Sequence, residues 1–307
     1  VLKSLSASAV PFMDDVAAYP LEDSRVAVVK TDMLVGKTDI PPGMTLEQAG
    51  RKAATMVVSD FAAKGVKPAA AVVALGLPRS MSVPQVRQLA RGLEKAAAQW
   101  GFSIIGGDTN EADDTIVAVT LIGFAWKEDI VLRSTVQPGD LVLVTGPFGN
   151  TAAGLRMMQK GCDAPAPVKR TLLRVIYAPK PRLDVGLHLR ALGASAAIDS
   201  SDGLGYSLHE LSKASSVGFN ISRMPLSAEA AFFAQERNLD LFELVFYGGE
   251  EYEIVFTMPQ RVYAGLGDRW RKRFQVIGEA TKERSIRYTG EKQKRPIQRR
   301  GWEHFKT

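Results

Sequence analysis

Short β-branched apolar runs alternate with stretches of helical periodicity along the first half of the chain. Val26-Ala27-Val28-Val29-Lys30-Thr31 predicts a buried strand that ends at Thr31-Asp32. Thr45 with Gln48 three residues on forms a capping-box pattern, and Leu46, Ala49, Ala53, Met56 and Val57 fall on one stripe. This predicts a helix that stops at Gly65. Ala70 to Leu77 predicts a second buried strand. Ser82 and Gln85 repeat the capping pattern ahead of Val86, Leu89, Leu93, Ala97 and Trp100, with Gly101 as the stop. A strand from Phe102 to Ile105 then runs into Gly106-Gly107-Asp108, and Thr115–Phe124 is β-rich.

Pro138-Gly139-Asp140 is the best boundary, giving domains 1–137 and 138–307, which suits a chain of 307 residues. Beyond it come a strand at Leu141–Val144, a helix at Thr151–Met158, and a helical pattern from Val168 to Leu192 broken at Pro179 and Pro181. Ala194–Ile198 predicts a strand that leads into Asp199-Ser200-Ser201-Asp202-Gly203. A helix follows, with Leu204, Leu208 and Leu211 inward, and further strands are expected at Val217–Ile221, Tyr252–Thr257 and Phe274–Gly278. The alternation predicts an α/β (α+β) chain.

Composition changes this picture little. Apolar residues make up 46% and charged residues 23%, as in ordinary globular proteins. No apolar run reaches the ~20 residues of a membrane span, and Val1–Leu5 lacks the apolar core of a leader peptide. Cys162 is alone, which excludes an intrachain disulfide and a thiolate cluster and fits a cytoplasmic protein. The net charge of +6 is matched by residues 281–307 alone, with nine Lys/Arg against three Glu. The remainder balances, so no nucleic-acid face is expected. A basic tail can bind nucleic acid, but it can also cover an anionic substrate or simply be solvated.

The chemistry lies in acids set beside apolar strands, glycines or hydroxyls: Asp15, Asp32, Asp60, Asp108, Asp199, Asp202 and Glu250. Asp60 interrupts Met56–Ser59 and Phe61–Ala63, a segment otherwise fit for a core, and a lone buried Asp is rare. Converging carboxylates need cations. With no paired His or Cys, an oxygen-only donor set suits Mg²⁺ and phosphate chemistry, not zinc hydrolysis or redox work. No Gly-x-x-x-x-Gly-Lys-Ser/Thr loop and no spaced nucleophile triad is present, and His188, His209 and His304 read as surface or packing residues. Gly106-Gly107 and Gly248-Gly249, each followed by an acid, offer backbone donors to phosphates.

These motifs, taken in order, resemble the thiamine-monophosphate kinases of the aminoimidazole ribonucleotide synthetase-like superfamily. The resemblance is carried by Thr31-Asp32-Met33-Leu34, Val58-Ser59-Asp60-Phe61, Gly106-Gly107-Asp108-Thr109 and Leu132-Arg133-Ser134. It continues through Ile198-Asp199-Ser200-Ser201-Asp202-Gly203-Leu204 and Gly248-Gly249-Glu250-Glu251-Tyr252-Glu253. It implies a two-domain PurM-like fold, with an N-terminal ATP- and Mg-binding mixed sheet that pairs across a homodimer and a C-terminal α/β domain. It further implies phosphorylation of thiamine monophosphate to thiamine diphosphate by ATP, with several Mg²⁺ ions. Carried over by motif, Asp15, Thr31, Asp32, Asp60, Asp108, Asp199 and Asp202 hold the metal. Of these, Asp60, Asp108, Asp199 and Asp202 are catalytic. Gly107, Asp108, Arg133 and Ser201 meet ATP, and Asp39, Glu250 and Trp302 face the thiamine end. The chain departs from the family pattern at Met13-Asp14-Asp15, where Gly-Asp-Asp is usual, and at Lys30, where serine is common and where an ammonium can replace one cation. Asp39 stands where a histidine is common, and Glu251 where Asp is. The alternatives are an aminoimidazole ribonucleotide synthetase-like ligase and a non-catalytic Mg-nucleotide-binding regulator.

Overall fold

The computed structural model describes residues 8–290 and 293–302. They form two compact units, one of residues up to Ile130 together with Tyr177–Leu183, the other of Val131–Ile176 and Asp184 onward. The stretch 177–183 joins the first unit through Tyr177, whose hydroxyl donates to Pro42 O at 2.7 Å, and through Arg51, which donates to Pro179 O at 2.6 Å.

In the first unit the order is β1 (Ala17–Pro20), β2 (Arg25–Val35), α1 (Gly36–Asp39), α2 (Leu46–Lys64), β3 (Pro68–Leu77), α3 (Val83–Trp100), β4 (Ser103–Glu111) and β5 (Ile116–Trp126). The sheet order is β1-β2-β5-β3-β4. Neighbours run antiparallel except β3 and β4, which are parallel because α3 carries the chain back across the sheet. Both helix starts expected from the sequence are present. Thr45 and Gln48 bond reciprocally, Ser82 N–H donates to Gln85 Oε1 at 2.8 Å, and Gly65 closes α2 in the left-handed conformation at φ 72°. Helix α2 packs on β2 and β5, and α3 packs on α2. Alternation along β2 therefore turns Val26, Val28 and Leu34 to the buried helical layer and leaves Met33 exposed on the open face.

Gly106-Gly107-Asp108 differs from expectation. The strand expected over Phe102–Ile105 runs on through it to Glu111. Gly107 lies so close to β3 that a Cβ there would stand 2.0 Å from Val73 O. The glycine is required by strand contact.

The second unit comprises β6 (Asp140–Val144), α4 (Asn150–Gln159), α5 (Ala166–Tyr177), α6 (Leu183–Gly186), β7 (Ala196–Ser200), α7 (Leu204–Ser215) and β8 (Gly218–Ile221). It continues with α8 (Ala228–Arg237), α9 (Leu241–Tyr247), β9 (Glu253–Pro259), α10 (Gln260–Ala264), α11 (Asp268–Arg271), β10 (Gln275–Thr281), β11 (Ile286–Gly290) and β12 (Gln293–Pro296). Its sheet runs β12-β11-β8-β10-β6-β9-β7. Leu204, Leu208 and Leu211 of α7 are wholly buried against the sheet's Val144, Ile198 and Val255, as the heptad-like spacing predicts. The basic tail adds the strands β11 and β12 to this sheet. No helix among the described residues is long and apolar enough to cross a membrane.

Candidate functional site

In the first unit the acids meet lysines. Lys30 and Asp32 follow Val28 on the helix-facing side of β2, and Asp60 comes down from α2 to meet them. The Lys30 ammonium lies 2.9 Å from Asp60 Oδ2 and 3.3 Å from Asp32 Oδ1. A second ammonium, Lys64, has no exposed surface and stands 2.7 Å from both Asp14 Oδ1 and Asp15 Oδ2. Asp15 and Asp60 are buried and offer carboxylate oxygens within 4.8 Å of one another. Two charges at that spacing repel by at least about 3 kcal/mol at an effective dielectric near 20. Lys30 beside Asp60 and Lys64 beside Asp15 supply counter-charge to the pair, and an oxygen-only donor set fits Mg²⁺.

The other first-unit candidates stand apart from this group. Thr31 faces the opposite side of β2, where its hydroxyl lies 2.7 Å from the Thr120 hydroxyl. Asp108 is in register with Ala74 of β3, Ala74 with Ala118 of β5, and Ala118 with Met33 of β2. Asp108 is therefore exposed on the same open face as Met33. Gly107, one residue earlier, turns to the helical side. Asp39 is buried, and its Oδ2 accepts from the Val35 N–H at 2.7 Å while its carbonyl accepts from the buried Lys52 at 2.9 Å. The carboxylate secures the turn between β2 and α1.

In the second unit the strand-turn-helix expected at 194–208 is present. Asp199 is buried on β7 opposite Ile254, and Ser201 and Asp202 form the turn. Gly203 starts α7 at φ 112°, a conformation that only glycine adopts easily, and a Cβ there would lie 2.9 Å from Gly248 O. The 248–253 loop is tied to this turn. Glu250 N–H donates to Ser201 O at 2.6 Å and Tyr252 N–H to Ser200 O at 3.0 Å. Glu250 and Tyr252 both hold positive φ, 61° and 53°, which is strain retained in a loop that carries candidate residues. Arg133 is half-buried, with its carbonyl accepting from Ser215 Oγ at 2.9 Å.

The tail ends on the same turn. Trp302 N–H donates to Asp202 O at 3.0 Å, and a Cβ on Gly301 would stand 2.0 Å from that oxygen. The Trp302 side chain remains 52% exposed beside Gly249. Three of the tail arginines are engaged within their own unit. Arg295 pairs with Asp240 over the Phe242 ring, Arg299 with Glu210 over Tyr206, and Arg300 with Glu243 over Tyr247. The tail is a folded flank of the turn, which replaces the solvated reading. His209 meets Ile297 O at 2.9 Å and His188 packs beside Trp270, both within the second unit. His304 lies outside the described residues.

Sequence reasoning missed Lys64 and the task of Glu251. Glu251 accepts from the Gly149 N–H at 2.7 Å and the Thr151 N–H at 3.3 Å, capping α4 from a distant loop. Burial pushes its carboxyl up to about 8, against those two donors and with help from the charge of Glu253. Between about pH 4.5 and 8 the folded chain therefore holds a proton here that the unfolded chain has lost, so this group's contribution to stability falls as pH rises across that window. The expected result is that Glu251→Gln loses less melting temperature than the parent, by a few degrees, between pH 5 and pH 8. Parallel curves would refute the assignment.

The AIR synthase related protein N-terminal domain model matches residues 13–125, and the corresponding C-terminal domain model matches residues 137–291. A thiamine-monophosphate kinase of Nitrosopumilus maritimus is 38% identical over 296 residues, covering 95% of this chain and 93% of the relative. One of Pyrococcus horikoshii is 35% identical over 295 residues, covering 95% and 90%. Among solved structures, AaThiL complexed with AMPPCP and TMP has a TM-score of 0.85 at 26% identity, covering 95% of this chain and 91% of that one. The two mixed sheets with their helices are thus the PurM-like fold implied by the sequence motifs. The chain belongs to the AIR synthase related proteins and, among them, to the thiamine-monophosphate kinase family.

Proposed function

We propose that this chain transfers the γ-phosphoryl group of ATP to the phosphate of thiamine monophosphate, giving thiamine diphosphate and ADP. The observation that carries this reading is 38% identity to a thiamine-monophosphate kinase along 95% of the chain. The chemistry agrees with it. The attacking oxygen belongs to a phosphate already ionised at neutral pH, so the reaction calls for charge neutralisation and alignment and needs no strong base. We assign Asp15, Asp32 and Asp60 of the first unit, and Asp199 and Asp202 of the second, to Mg²⁺ ions. When bound, these ions neutralise the meeting phosphates and align the attacking and leaving oxygens. Gly107, Asp108, Arg133 and Ser201 are assigned to ATP, and Glu250 and Trp302 to the thiamine moiety. Asp39 and the Thr31 hydroxyl serve the fold.

The partner we propose is a second copy of the chain, with the enzyme working in the cytoplasm. The open face of the first sheet exposes Met33, Val72, Phe124 and Trp126, and its edge strand β4 is exposed at every position, including Ile104 and Ile105. An uncovered apolar edge of this kind favours strand pairing with another chain. Asp108 lies on that face, which fits ATP bound close to such a dimer contact. ADP release should depend on thiamine monophosphate and be absent with thiamine or aminoimidazole precursors assayed in parallel. Release that ignores the acceptor would refute the proposal.

Trp302 supplies a separate test. A cationic thiazolium or a pyrimidine stacked on an indole gains roughly 0.5–2 kcal/mol. Trp302→Ala is expected to raise KM for thiamine monophosphate about two- to thirty-fold with KM for ATP unchanged. A joint rise in both constants, or only an earlier melt, would make the tail structural alone.

A further inference from the structure

Lys30 occupies a place where the strand pattern calls for an apolar or neutral residue. Val26, Val28 and Leu34 share its side of β2 and are buried. The Lys30 side chain is 25% exposed and its ammonium reaches Asp60, whose side chain is 6% exposed, at 2.9 Å and Asp32 at 3.3 Å. A lysine turned toward a helical layer is tolerated when its charge is matched there, and here two carboxylates match it. With Lys64 between Asp14 and Asp15, four carboxylates of the first unit already carry two fixed positive charges.

We propose that Lys30 is a tethered cation that takes one of the ion positions among these acids, so that the nucleotide-loaded chain binds one divalent ion fewer than it would with a neutral residue there. This rests on the Mg²⁺ assignments made above. An Mg²⁺ shared by Asp32 and Asp60 requires oxygens at about 2.0–2.1 Å and near-octahedral surroundings. The ammonium already stands within ion-pair distance of both carboxylates, 2.9 Å from Asp60 Oδ2 and 3.3 Å from Asp32 Oδ1. It needs no dehydration of a divalent ion and is present at every metal concentration. Lys30 acts here as a positioning residue, fixing Asp32 on the strand against Asp60 on the helix.

The test is a count of Mn²⁺ bound per full-length chain in the presence of AMPPCP, read from the free-ion electron paramagnetic resonance signal. Lys30→Ser and Lys30→Gln are each expected to bind one more Mn²⁺ than the parent. Lys30→Arg, which keeps the charge, should give the parent's count. In chelator, Lys30→Ser and Lys30→Gln should melt below the parent and recover when Mn²⁺ and AMPPCP are added. The glutamine variant decides the matter if the serine variant does not fold. Equal counts in the parent and the neutral variants overturn the proposal, as does an Arg variant that behaves like Ser. No bound Mn²⁺ in any of the proteins overturns it together with the metal assignments. Thiamine-monophosphate-dependent ADP release by the parent, measured alongside, shows separately whether the kinase reading stands.

Discussion

Asp60→Asn is expected to lower kcat by about 10²–10³-fold, the range seen when one preorganised electrostatic contact to a transition state is lost. The substitution keeps the shape of a side chain buried near the C-terminal end of α2 and removes its charge. Lys30 retains Asp32 at 3.3 Å after the change, and its ammonium is partly solvated, so the fold should lose only about 1–3 kcal/mol. The contrast between a large kinetic loss and a modest thermal one identifies Asp60 as part of the machinery. Turnover within a few-fold of the parent would refute its metal role, and a collapse of the fold would make the kinetic loss uninformative. Circular dichroism should therefore accompany the kinetics.

Lys64→Met produces the opposite pattern. The ammonium has no exposed surface and lies 2.7 Å from each of two carboxylates, so its removal strips a buried acid pair of its counter-charge. Losing one side of a buried ion pair costs about 3–5 kcal/mol, which for a chain of this size is roughly 6–20 °C in melting temperature. A melting temperature within about 2 °C of the parent would show that Lys64 does not neutralise these acids.

The sequence was most legible where a local rule and the tertiary need coincide. Helix α2 begins and ends where the Thr45–Gln48 box and Gly65 place it, and the Asp199–Gly203 turn joins a buried strand to a helix as its pattern requires. Readings failed where the cause is remote. Gly106-Gly107 read as backbone donors beyond the end of a strand, yet Gly107 lies inside β4 and answers to Val73 on a neighbouring strand. Strand β2 runs on past Thr31-Asp32 to Val35, because β5 pairs with it along its whole length. Lys64 looks like an ordinary basic residue at a helix C-terminus, and nothing nearby reveals that Asp14 and Asp15 lie against it. The charge density of residues 281–307 suggested a solvated tail, because the acids that match its arginines, Glu210, Asp240 and Glu243, sit on α7, at the start of α9 and within α9.

The candidate site divides in the same way. Acids set against apolar segments were visible because burial of a carboxylate is costly and therefore informative. Which side of the strand each faces was not. Alternation places Asp32 with Asp60 but turns Thr31 toward Thr120, and it sends Asp108 to the open face while Gly107 turns inward. The two lysines are what make the acid cluster tolerable in the folded chain without ions.

Phosphoryl transfer to thiamine monophosphate is tested most directly by following the label from γ-³²P-ATP in a reaction with thiamine monophosphate and Mg²⁺, with products separated by chromatography. Label is expected to enter thiamine diphosphate in a one-to-one ratio with ADP formed, with almost none appearing as free phosphate. Label released as inorganic phosphate, or ADP formed without labelled thiamine diphosphate, would contradict it.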